Sequence, residues 1–476
     1  MPRRHIALRA GDDAAATELR AGFARIRAEL ELPEQFPADV LAEAEKAAAS
    51  PSLPAYDVTD LPFLTIDPPG STDLDQAMHI ERRGSGYRVR YAIADVGAFV
   101  TPGGAIDAEA HRRGETLYSP DLRTPLHPPV ISEGAASLLA DQTRPAVLWV
   151  LDLDAEGEET GVEVRRAMVR SRNRFDYAEV QALVDSGTAD ERLQLLAEVG
   201  RLRKTIEADR GGVSLPIAEQ EIEEDAGSFH LTYRVTRPVE SWNEQISLLT
   251  GMAAADLMLH GEVGVLRTLP EAPADAIRLL TRSAHALGIA WAHPTSYAEV
   301  IRALDPADPQ HAAFLQDATS LLRGAGYTAF DGGLPDLVTH AAVAAEYAHA
   351  TAPLRRLVDR YVSEVCLSLC AGETVPGWAR TALPALPAEM AESDRRASAL
   401  ERECVALMEA VVLRDAVGQE FDAVVVDVRD EGGGTVQLAD PAVRAAFDGQ
   451  LPLGERLRVR LVEADVDKRS VRFRPA

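Results

Sequence analysis

The stretch TIDPPGSTDLDQA, residues 65–77, decides how the rest of the chain is interpreted. The β-branched residues before Asp67 are typical of a strand, and the Pro-Pro-Gly-Ser sequence after it is typical of a turn. Asp73 and Asp75 follow within a few residues. Because they are two positions apart, an extended backbone points both side chains to the same side. The segment therefore predicts three carboxylates gathered on one loop at the end of a strand.

Gathered carboxylates are the ligands that hard divalent cations prefer, so the loop predicts a Mg²⁺ site, with Mn²⁺ as the alternative ion. An ion held there would activate water and neutralise charge on a phosphodiester undergoing hydrolysis. Aspartate-rich loops also occur as solvated turns and as Ca²⁺ sites. The spacing by itself does not choose between these structures and a catalytic site.

Strands surround this loop, and helices follow it. The segments LPFLTID, YRVRYAIADV and AVLWVLDLD are rich in β-branched and aromatic residues and are bounded by Gly, Pro or Asp. After residue 175 helical periodicity dominates. It predicts helices at 176–185, 189–208, 240–259, 274–288 and 311–325, a long helical run over 337–371, and a charged helix near 388–415. The order of elements indicates an α+β fold.

The two ends of the chain differ in pattern. Residues 12–50 have apolar positions at helical spacing, which predicts two or three helices that form either a helix-turn-helix-like nucleic-acid module or a packing domain. In RLRVRLV, Arg456, Arg458 and Arg460 alternate with apolar residues, so a strand would carry one basic face. A small barrel of such strands is typical of an OB-fold that holds single-stranded RNA; the alternative is a barrel used only for packing.

The composition excludes some classes of protein. The formal net charge of −26 argues against a protein that coats nucleic acid non-specifically, but it is compatible with basic residues confined to a channel. No apolar run approaches the about 20 residues of a membrane helix, and the start MPRRHIALRAGDDAAA has no apolar signal core. We therefore expect a cytoplasmic protein with no membrane contact. Cys366, Cys370 and Cys404 form no CxxC pair, so core packing is expected for them.

The chain resembles the ribonuclease II/R family in a series of motifs that occur in the family's order. The similar stretches are DLPFLTIDPPGSTDLDQA (60–77), YAIADVGAFV (91–100), LYSPDLRTPLHPPVISEGAASLL (117–139), RSRNRFDYAEVQ (170–181), YAHATAPLRRLVDR (347–360), DRRASALERE (394–403) and VGQEFDAVVVDV (417–428). The resemblance covers roughly residues 57–476.

The resemblance implies a domain order and an activity. Residues 57–385 would form the mixed α/β RNB catalytic domain, 386–416 a helical connector, and 417–476 an OB-fold RNA-binding domain. Residues 1–56 would form a small N-terminal helical domain. The implied activity is processive 3′-to-5′ hydrolysis of single-stranded RNA with Mg²⁺, which releases nucleoside 5′-monophosphates. A monomer is expected.

The family's motifs also assign site residues by position. Asp67, Asp73 and Asp75 match its metal-binding and catalytic carboxylates, and Gln76 stands where the family has a fourth aspartate. Arg355 matches the arginine at the scissile phosphate, a role that suits a guanidinium because its fork can hold two phosphate oxygens. The resemblance thus implies Asp73, Asp75 and Arg355 as catalytic residues and positions 67, 73, 75 and 76 as metal ligands.

Further RNA contacts are implied in the same way. Tyr118 matches the aromatic residue that stacks on the terminal base, a contact that accepts any base because each has a π-face. Glu244 falls near a family acidic residue beside the terminal nucleotide, and Arg356 is a further expected RNA contact. The structural alternative is a half-buried Tyr118, and arginines 355 and 356 that only pair with Asp359.

The chain departs from the family at several positions. Gln76 replaces an anionic ligand by a neutral amide, Leu215 stands about where a phenylalanine completes the base clamp, and Ser363-Glu364 replaces a His-Arg pair. Residues 1–56 are expected to be helical and too short for the family's paired cold-shock barrels. His349 is expected to be a structural histidine and not a metal ligand.

Three functions are compatible with these residues. The first is an active exoribonuclease, and the second is a catalytically weak RNA-binding scaffold on the same fold. The third is a metal-dependent phosphatase or nucleotide hydrolase, which would use the aspartates but would not need a basic tail or a stacking tyrosine. Cleavage of labelled RNA distinguishes the three.

Overall fold

The computed structural model describes residues 13–476 except 217, 218, 226, 227, 235, 293, 307, 430, 431, 439, 440 and 450. The basic start of the chain, on which the expectation about a signal sequence depended, lies outside these residues. Within the described part, no helix combines the length and apolar character needed to cross a membrane.

The elements follow in chain order. The strands are β1 (Phe63–Ile66), β2 (Gln76–Arg83), β3 (Gly86–Ala94), β4 (Leu117–Tyr118), β5 (Arg123–Thr124), β6 (Thr143–Leu153), β7 (Glu159–Phe175), β8 (Glu219–Asp225), β9 (Ser228–Arg234), β10 (Val263–Thr268), β11 (Gly326–Asp331), β12 (Thr339–His340), β13 (Ala345–Glu346), β14 (Glu420–Val428), β15 (Gly434–Leu438), β16 (Arg444–Phe447), β17 (Arg456–Asp465) and β18 (Ser470–Pro475). The α-helices are α1 (Asp13–Glu29), α2 (Ala38–Ala49), α3 (Ala105–Arg113), α4 (Tyr177–Asp185), α5 (Glu191–Asp209), α6 (Pro238–His260), α7 (Ala274–Ala286), α8 (Tyr297–Arg302), α9 (Pro309–Ala318), α10 (Leu357–Ala371), α11 (Gly377–Ala382) and α12 (Leu386–Leu413). Short 3₁₀ turns lie at Val96–Ala98, Thr319–Leu322 and Arg414–Ala416, and a π-helical turn lies at Val130–Ala135.

The first barrel is a closed sheet in the order β1-β2-β3-β6-β7. Its strands pair antiparallel except β1 and β7, which are parallel. Along β3, Tyr91 and Ile93 belong to one buried cluster, while Ala92 and Ala94 belong to another. The two-residue alternation of a strand therefore supplies both cores of the barrel. The parallel β1–β7 pair also fixes where β1 ends, which is the point at which Asp67 enters the site.

Helices cover one face of this barrel. α5 and α6 pack against each other, α5 packs on β2, and α10 packs on β7 and α6. Leu193, Ile246 and Val362 are buried between them. This arrangement holds the amino end of α10, and with it the segment just before the helix, next to the loop that follows β1.

The second barrel is closed in the order β14-β15-β16-β18-β17, and its core contains Val425, Val436 and Phe473. The barrel expected in the tail is therefore confirmed. α12 packs against β17 and β18 of this barrel and also against β4 and β8. The charged helix predicted near 388–415 is thus the element that joins the two barrels.

The predicted N-terminal helices are confirmed as α1 and α2, but they pack on different parts of the molecule. Leu19, Phe23 and Ile26 of α1 are buried with α12 and the second barrel. Val40 and Ala44 of α2 are buried in the core of the first barrel. Within residues 13–56 there is consequently no separate core of the kind that a self-contained helical domain would have.

The long helical run predicted over 337–371 is wrong in its first half. Residues 337–356 contain β12, β13 and an irregular segment, and the helix α10 begins only at Leu357. Ala344 has a φ of 54°, which is incompatible with a right-handed helix, and Pro353 restricts the residue before it to extended conformations. The alanine-rich composition of this segment is typical of a helix. In the structure β12 and β13 instead pair antiparallel with each other. The β8–β9 hairpin was likewise not predicted.

Candidate active site

The loop between β1 and β2 brings its aspartates to one side of the barrel. The backbone N–H of Asp67 donates to the carbonyl of Phe175 at 3.2 Å, so the start of the loop continues the β1–β7 pairing. Gly70 has a φ of 82°, a left-handed conformation that favours glycine and that reverses the chain. Leu74 is fully buried between Asp73 and Asp75, as the two-residue alternation of an extended segment requires.

A cavity of about 700 Å³ lies over this loop. Apart from loop residues 68–71, its lining side chains are Asp67, Asp73, Asp75, Gln76, Tyr118, Arg123, Tyr177 and Arg355. The structure therefore brings together the three predicted carboxylates, the predicted arginine and the predicted aromatic residue. Their roles in binding and catalysis are proposals that rest on the burial, distances and charges of the individual residues.

Asp75 is the most enclosed carboxylate of the cavity, with 4% of its surface exposed. One of its oxygens accepts a hydrogen bond from the backbone N–H of Leu354 at 2.7 Å, and the other lies 3.8 Å from Nε of Arg355. Burial raises the pKa of Asp75 well above its ordinary value, and the charge of Arg355 opposes that shift. Asp75 thus links the loop after β1 to the segment before α10.

Asp67 is a second carboxylate whose charge is poorly compensated. Burial and the nearby charge of Asp73 together raise the pKa of Asp67 to about 7, against the opposing charges of Arg174 and Arg355. A cation placed between these carboxylates would favour their ionised forms.

Asp73 is already paired with a side-chain cation. Nη1 of Arg123 donates to Asp73 at 2.6 Å, and Nη2 donates to the Thr72 hydroxyl at 3.0 Å and lies 3.2 Å from Glu133. The Tyr118 hydroxyl is 3.5 Å from the other oxygen of Asp73. A metal ion that used the first oxygen would have to displace Arg123.

Gln76 is held by its own hydrogen bonds. Its Nε2 donates to the carbonyl of Thr351 at 2.6 Å, and its Oε1 accepts from the Tyr91 hydroxyl at 3.1 Å. Both ends of the amide are engaged in hydrogen bonds, and Gln76 also lines the cavity, so the metal-ligand role given to it stays a prediction. An aspartate could not donate to Thr351, which is a physical reason for the amide at this position.

The carboxylates of the cavity fit Mg²⁺ as a pair and not as a closed set of three. Among the described residues, no three His, Cys, Asp or Glu side chains converge closely enough to hold one ion. Mg²⁺, however, is commonly held by one or two carboxylates, with water and substrate phosphate oxygens completing its coordination. Asp67 and Asp75 line the same cavity and supply that pair, so the residues fit Mg²⁺ once a phosphate is present.

Tyr118 and Arg355 stand at the exposed side of the cavity. Half of the surface of Tyr118 is exposed, and the Arg355 side chain is 43% exposed. The backbone N–H of Thr116 donates to the carbonyl of Arg355 at 2.9 Å, which fixes the two segments side by side. Both side chains also border a second cavity of about 410 Å³, whose other walls include β8 and α12. A ligand can therefore reach the aspartates past Tyr118 and Arg355.

The other predicted RNA contacts near the motif are not in the lining of the aspartate cavity. Arg356 donates to both oxygens of Asp359 at 2.6 and 2.8 Å, which is the structural alternative considered for it. Glu244 is exposed on α6. The structure thus separates Arg355, which faces the cavity, from its neighbour Arg356.

The arginines of β17 have the predicted alternation, but their charge is balanced. β17 pairs antiparallel with β14, which places Arg458 opposite Asp422 and Arg460 opposite Glu420. Arg460 donates to Glu420 at 2.8 Å, and Arg458 lies 3.7 Å from Glu420. Arg456 is exposed on the same face. Acidic residues of the neighbouring strand thus reduce the basic character that the β17 sequence suggested.

The departures from the family motifs have structural explanations. Leu215 packs partly buried against the α7–α9 helices and does not line the cavity. Glu364 forms an ion pair with Arg166, so it anchors α10 to β7. His349 is half-buried and hydrogen-bonded to the Tyr327 hydroxyl at 2.7 Å, a contact that supports the structural role expected for it. All three cysteines are free and wholly or partly buried, as expected.

Two cavity residues were not predicted from the sequence. Arg123 is the cross-strand partner of Tyr118 in the β4–β5 hairpin, so both side chains lie on the same face. The spacing of these residues around Ser119-Pro120-Asp121-Leu122, a turn sequence, could have indicated this. Tyr177, at the start of α4, had no such signal, because only the packing of α4 brings it to the cavity.

Named relatives share much of this chain. Ribonuclease R of Escherichia coli (strain K12) is 27% identical over 474 residues, which cover 88% of this chain and 57% of that protein. Ribonuclease R of Acidithiobacillus ferrooxidans is 37% identical over 175 residues, or 36% of this chain and 40% of that protein. The exosome complex exonuclease RRP44 of Homo sapiens is 27% identical over 320 residues, or 64% of this chain and 33% of that protein. This chain therefore spans about half the length of these relatives, or less.

Solved structures have the same fold. Apo ribonuclease R of Mycoplasma genitalium matches with a TM-score of 0.85 and 19% identity, covering 98% of this chain and 78% of that chain. Yeast Ssd1, a pseudonuclease, matches with a TM-score of 0.71 and 15% identity, covering 93% and 58%. At these identities the similarity establishes the architecture alone.

Two family models match this sequence. The RNB domain model matches residues 55–370, and the model of the RNase II-type exonuclease C-terminal S1 domain matches residues 419–476. The first match alone covers more than half of the chain. This chain therefore belongs to the ribonuclease II/R family, with an RNB domain followed by the C-terminal S1 domain of its exonucleases.

Proposed function

We propose that this chain is a processive 3′-to-5′ exoribonuclease that hydrolyses single-stranded RNA and releases nucleoside 5′-monophosphates. The observation that carries the proposal is that Asp67, Asp73, Asp75, Tyr118 and Arg355 line one cavity. The relatives named ribonuclease R and exosome complex exonuclease support it. So do the solved complexes of Mycoplasma genitalium ribonuclease R with single-stranded and double-stranded RNA.

Asp67 and Asp75 would hold Mg²⁺, with Mn²⁺ as the alternative. When bound, the ion supplies an activated water and neutralises charge on the phosphate. Raised carboxylate pKa values at Asp67 and Asp75 are what such a site has before a cation compensates the charges. Asp73 would join this set by exchanging Arg123 for the ion.

Arg355 and Tyr118 would bind the RNA. The Arg355 guanidinium is partly exposed and near Asp75, so it can hold oxygens of the scissile phosphate while the carboxylates face the attacking water. The exposed Tyr118 ring offers a stacking face for a base without selecting its identity. The proposed enzyme acts as a monomer in the cytoplasm.

Cleavage of a 5′-labelled oligo-A in the presence of Mg²⁺ tests the proposal. We expect a ladder that shortens from the 3′ end to short products, with nucleoside 5′-monophosphates released, and no cleavage when EDTA is present. A labelled strand blocked by a 3′-terminal phosphate is the control for end dependence. Internal cuts in a circular RNA would contradict an exonuclease.

The second candidate is a catalytically weak RNA-binding scaffold. Two observations favour it: Gln76 uses both ends of its amide in hydrogen bonds, and Asp73 is bound to Arg123. The first occupies the neutral amide oxygen at position 76, and the second occupies an anionic ligand, so both reduce the oxygens available to a metal. Retained binding of intact oligo-A in the same assay would support the scaffold. The absence of both binding and cleavage would favour the metal-dependent phosphatase or nucleotide hydrolase.

A further inference from the structure

The hairpin that carries Tyr118 is held from outside the RNB domain by one buried arginine. Arg27 lies in the last turn of α1, and 6% of its side chain is exposed. Its Nη1 donates to Asp121 at 2.6 Å and to the Ser119 hydroxyl at 3.0 Å, and its Nε donates to Glu34 at 2.6 Å. Ser119 and Asp121 belong to the turn that directly follows Tyr118.

This turn needs an external contact because the hairpin is short. β4 and β5 contribute two residues each, and so small a ladder has little stability of its own. The turn is closed by mutual backbone hydrogen bonds between Ser119 and Leu122 at 3.0 and 3.3 Å. Arg27 adds charge-assisted bonds to its side chains, which are stronger and more directional than neutral ones. The turn next to Tyr118 is therefore bonded to a residue of α1, in addition to the bonds that Arg123 and Thr116 make on the other side of the hairpin.

The same helix is tied to the second barrel. Glu29 pairs with Arg469, Glu18 pairs with Arg414, and Arg25 lies 3.4 Å from Asp467. α1 thus has one set of contacts with the C-terminal barrel region and another with the hairpin beside the aspartate cavity. The matched RNB model begins at residue 55, so Arg27 lies outside it.

We propose that Arg27 is a positioning residue: through Ser119 and Asp121 it fixes the hairpin that presents Tyr118 to the 3′-terminal nucleotides of single-stranded RNA. The inference rests on the proposed function for the role of Tyr118, although the contact itself does not. It gives the N-terminal helix a role in substrate binding that needs no nucleic-acid contact of its own. Base stacking operates in the ground state and the transition state alike, so loss of positioning raises KM and leaves kcat nearly unchanged.

The test compares Arg27→Met with Arg25→Met in the full chain. Arg25 lies on the same helix, but its ion pair is exposed, so it is the matched control. In RNA-free protein, we expect amide hydrogen exchange of residues 117–123 to become about tenfold faster in Arg27→Met and to stay unchanged in Arg25→Met. We expect KM for labelled oligo-A to rise about tenfold for Arg27→Met only, with kcat within about twofold.

Asp121→Ala keeps the test decisive if Arg27→Met does not fold. It removes the charged partner of Arg27 in the turn, keeps the weaker bond to the Ser119 hydroxyl, and leaves Arg27 paired with Glu34. It should therefore change exchange and KM in the same direction as Arg27→Met. Equal exchange of residues 117–123 in the Arg27 and Arg25 variants would overturn the proposal, as would a loss confined to kcat. If the wild-type chain does not cleave RNA, the proposed function fails. Exchange and the Kd for oligo-A, measured by anisotropy, then still decide the role of Arg27.

Discussion

At the residue scale, Asp75 is the side chain on which the proposed chemistry depends most. It is buried, it accepts a hydrogen bond from Leu354, and it is near Arg355. The first two properties hold for many structural aspartates. What distinguishes Asp75 is that it lines a cavity with Asp67 and Asp73 and lies near Arg355.

Asp75→Asn should lower kcat by at least about 100-fold while the Kd for oligo-A changes by about twofold or less. The amide oxygen can still accept from Leu354, so the fold is retained, whereas the charge that supports the transition state is lost. Labelled-RNA cleavage gives kcat, and anisotropy without added metal gives the Kd. Asp185→Asn, on the exposed end of α4, is the control. Parallel losses of binding and turnover would contradict the catalytic role.

Arg123→Gln should strengthen Mn²⁺ binding by about fivefold, because a partly exposed ion pair contributes up to about 1 kcal/mol and the variant removes a cation that competes for Asp73. Titration of free Mn²⁺ by electron paramagnetic resonance measures this without RNA. Arg170→Gln serves as the control, since its pair with Asp141 lies outside the cavity lining. Unchanged or weaker Mn²⁺ binding would mean that Asp73 is not a ligand.

At the element scale, α12 connects its neighbours through a buried acid. Glu409 accepts from Gln220 Nε2 at 2.6 Å and from the backbone N–H of Arg444 at 2.7 Å, both on the same oxygen. The helix thereby contacts β8 and the start of β16 at once. Burial raises the pKa of Glu409 to about 7, despite these hydrogen bonds.

This raised pKa predicts a pH dependence of stability. Between the ordinary value of 4.5 and about 7, the folded state binds the proton that the unfolded state has released, so stability falls as pH rises and then levels off. The loss would be at most about 3 kcal/mol. Glu409→Gln keeps the accepting oxygen and removes the titration. We expect urea midpoints at pH 5 and pH 8 to differ more for the wild type than for the variant; equal differences would contradict the assignment.

The acidic partners on β14 predict a gain of RNA affinity. Glu420→Gln removes the ion pairs that Glu420 makes with Arg458 and Arg460, so Arg460 becomes available to phosphates while Arg458 keeps Asp422 as a partner. The Kd for oligo-A should fall, and the slope of log K against log salt should steepen by about 0.7 for each arginine that then contacts a phosphate. Asp467→Asn, also on the second barrel, controls for net charge. An equal change of Kd in both variants would indicate that the net charge of the barrel, and not RNA contact with Arg458 or Arg460, determines the affinity.

At the scale of the whole molecule, α1 and α12 make one unit with the second barrel. Phe23 is fully buried, and its ring meets Phe229 edge to face at 5.4 Å between centroids. The first barrel has its own core, to which Phe23 does not belong. The two halves of the molecule are therefore expected to respond differently to a cavity in α1.

Phe23→Ala should destabilise the α1–α12–barrel unit by about 3 kcal/mol or more, because it removes a buried aromatic side chain and leaves a cavity. Hydrogen exchange should accelerate in β14–β18 and remain slow in β3 and β6. Leu41→Ala, an exposed position on α2, is the control. Uniform acceleration in both barrels would show that the molecule unfolds as one unit.

The sequence by itself determined the parts of this protein that depend on local pattern. Composition rich in β-branched and aromatic residues located β1, β3 and β6, and period-two alternation located β17. The spacing of Asp73 and Asp75 placed both carboxylates on one side of their loop. Motif order identified the family before any geometry was known. These inferences held because a strand's alternation and a turn's composition are properties of neighbouring residues.

Only the tertiary structure decided which charged side chains are free to bind RNA or a metal ion and which are paired within the protein. The β17 arginines look basic in sequence, yet Glu420 of the neighbouring strand balances Arg458 and Arg460. Arg355 and Arg356 could both pair with Asp359, and the fold places Arg355 near Asp75 and Arg356 on Asp359. Arg123 enters the site, and Gln76 is engaged by Thr351, through contacts that no spacing rule describes. The helix wrongly predicted over 337–356 also reflects a contact between separate segments, the pairing of β12 with β13. Electrostatic partners and sheet pairing join residues distant in the chain, so the free energy that selects them appears only when the chain is folded.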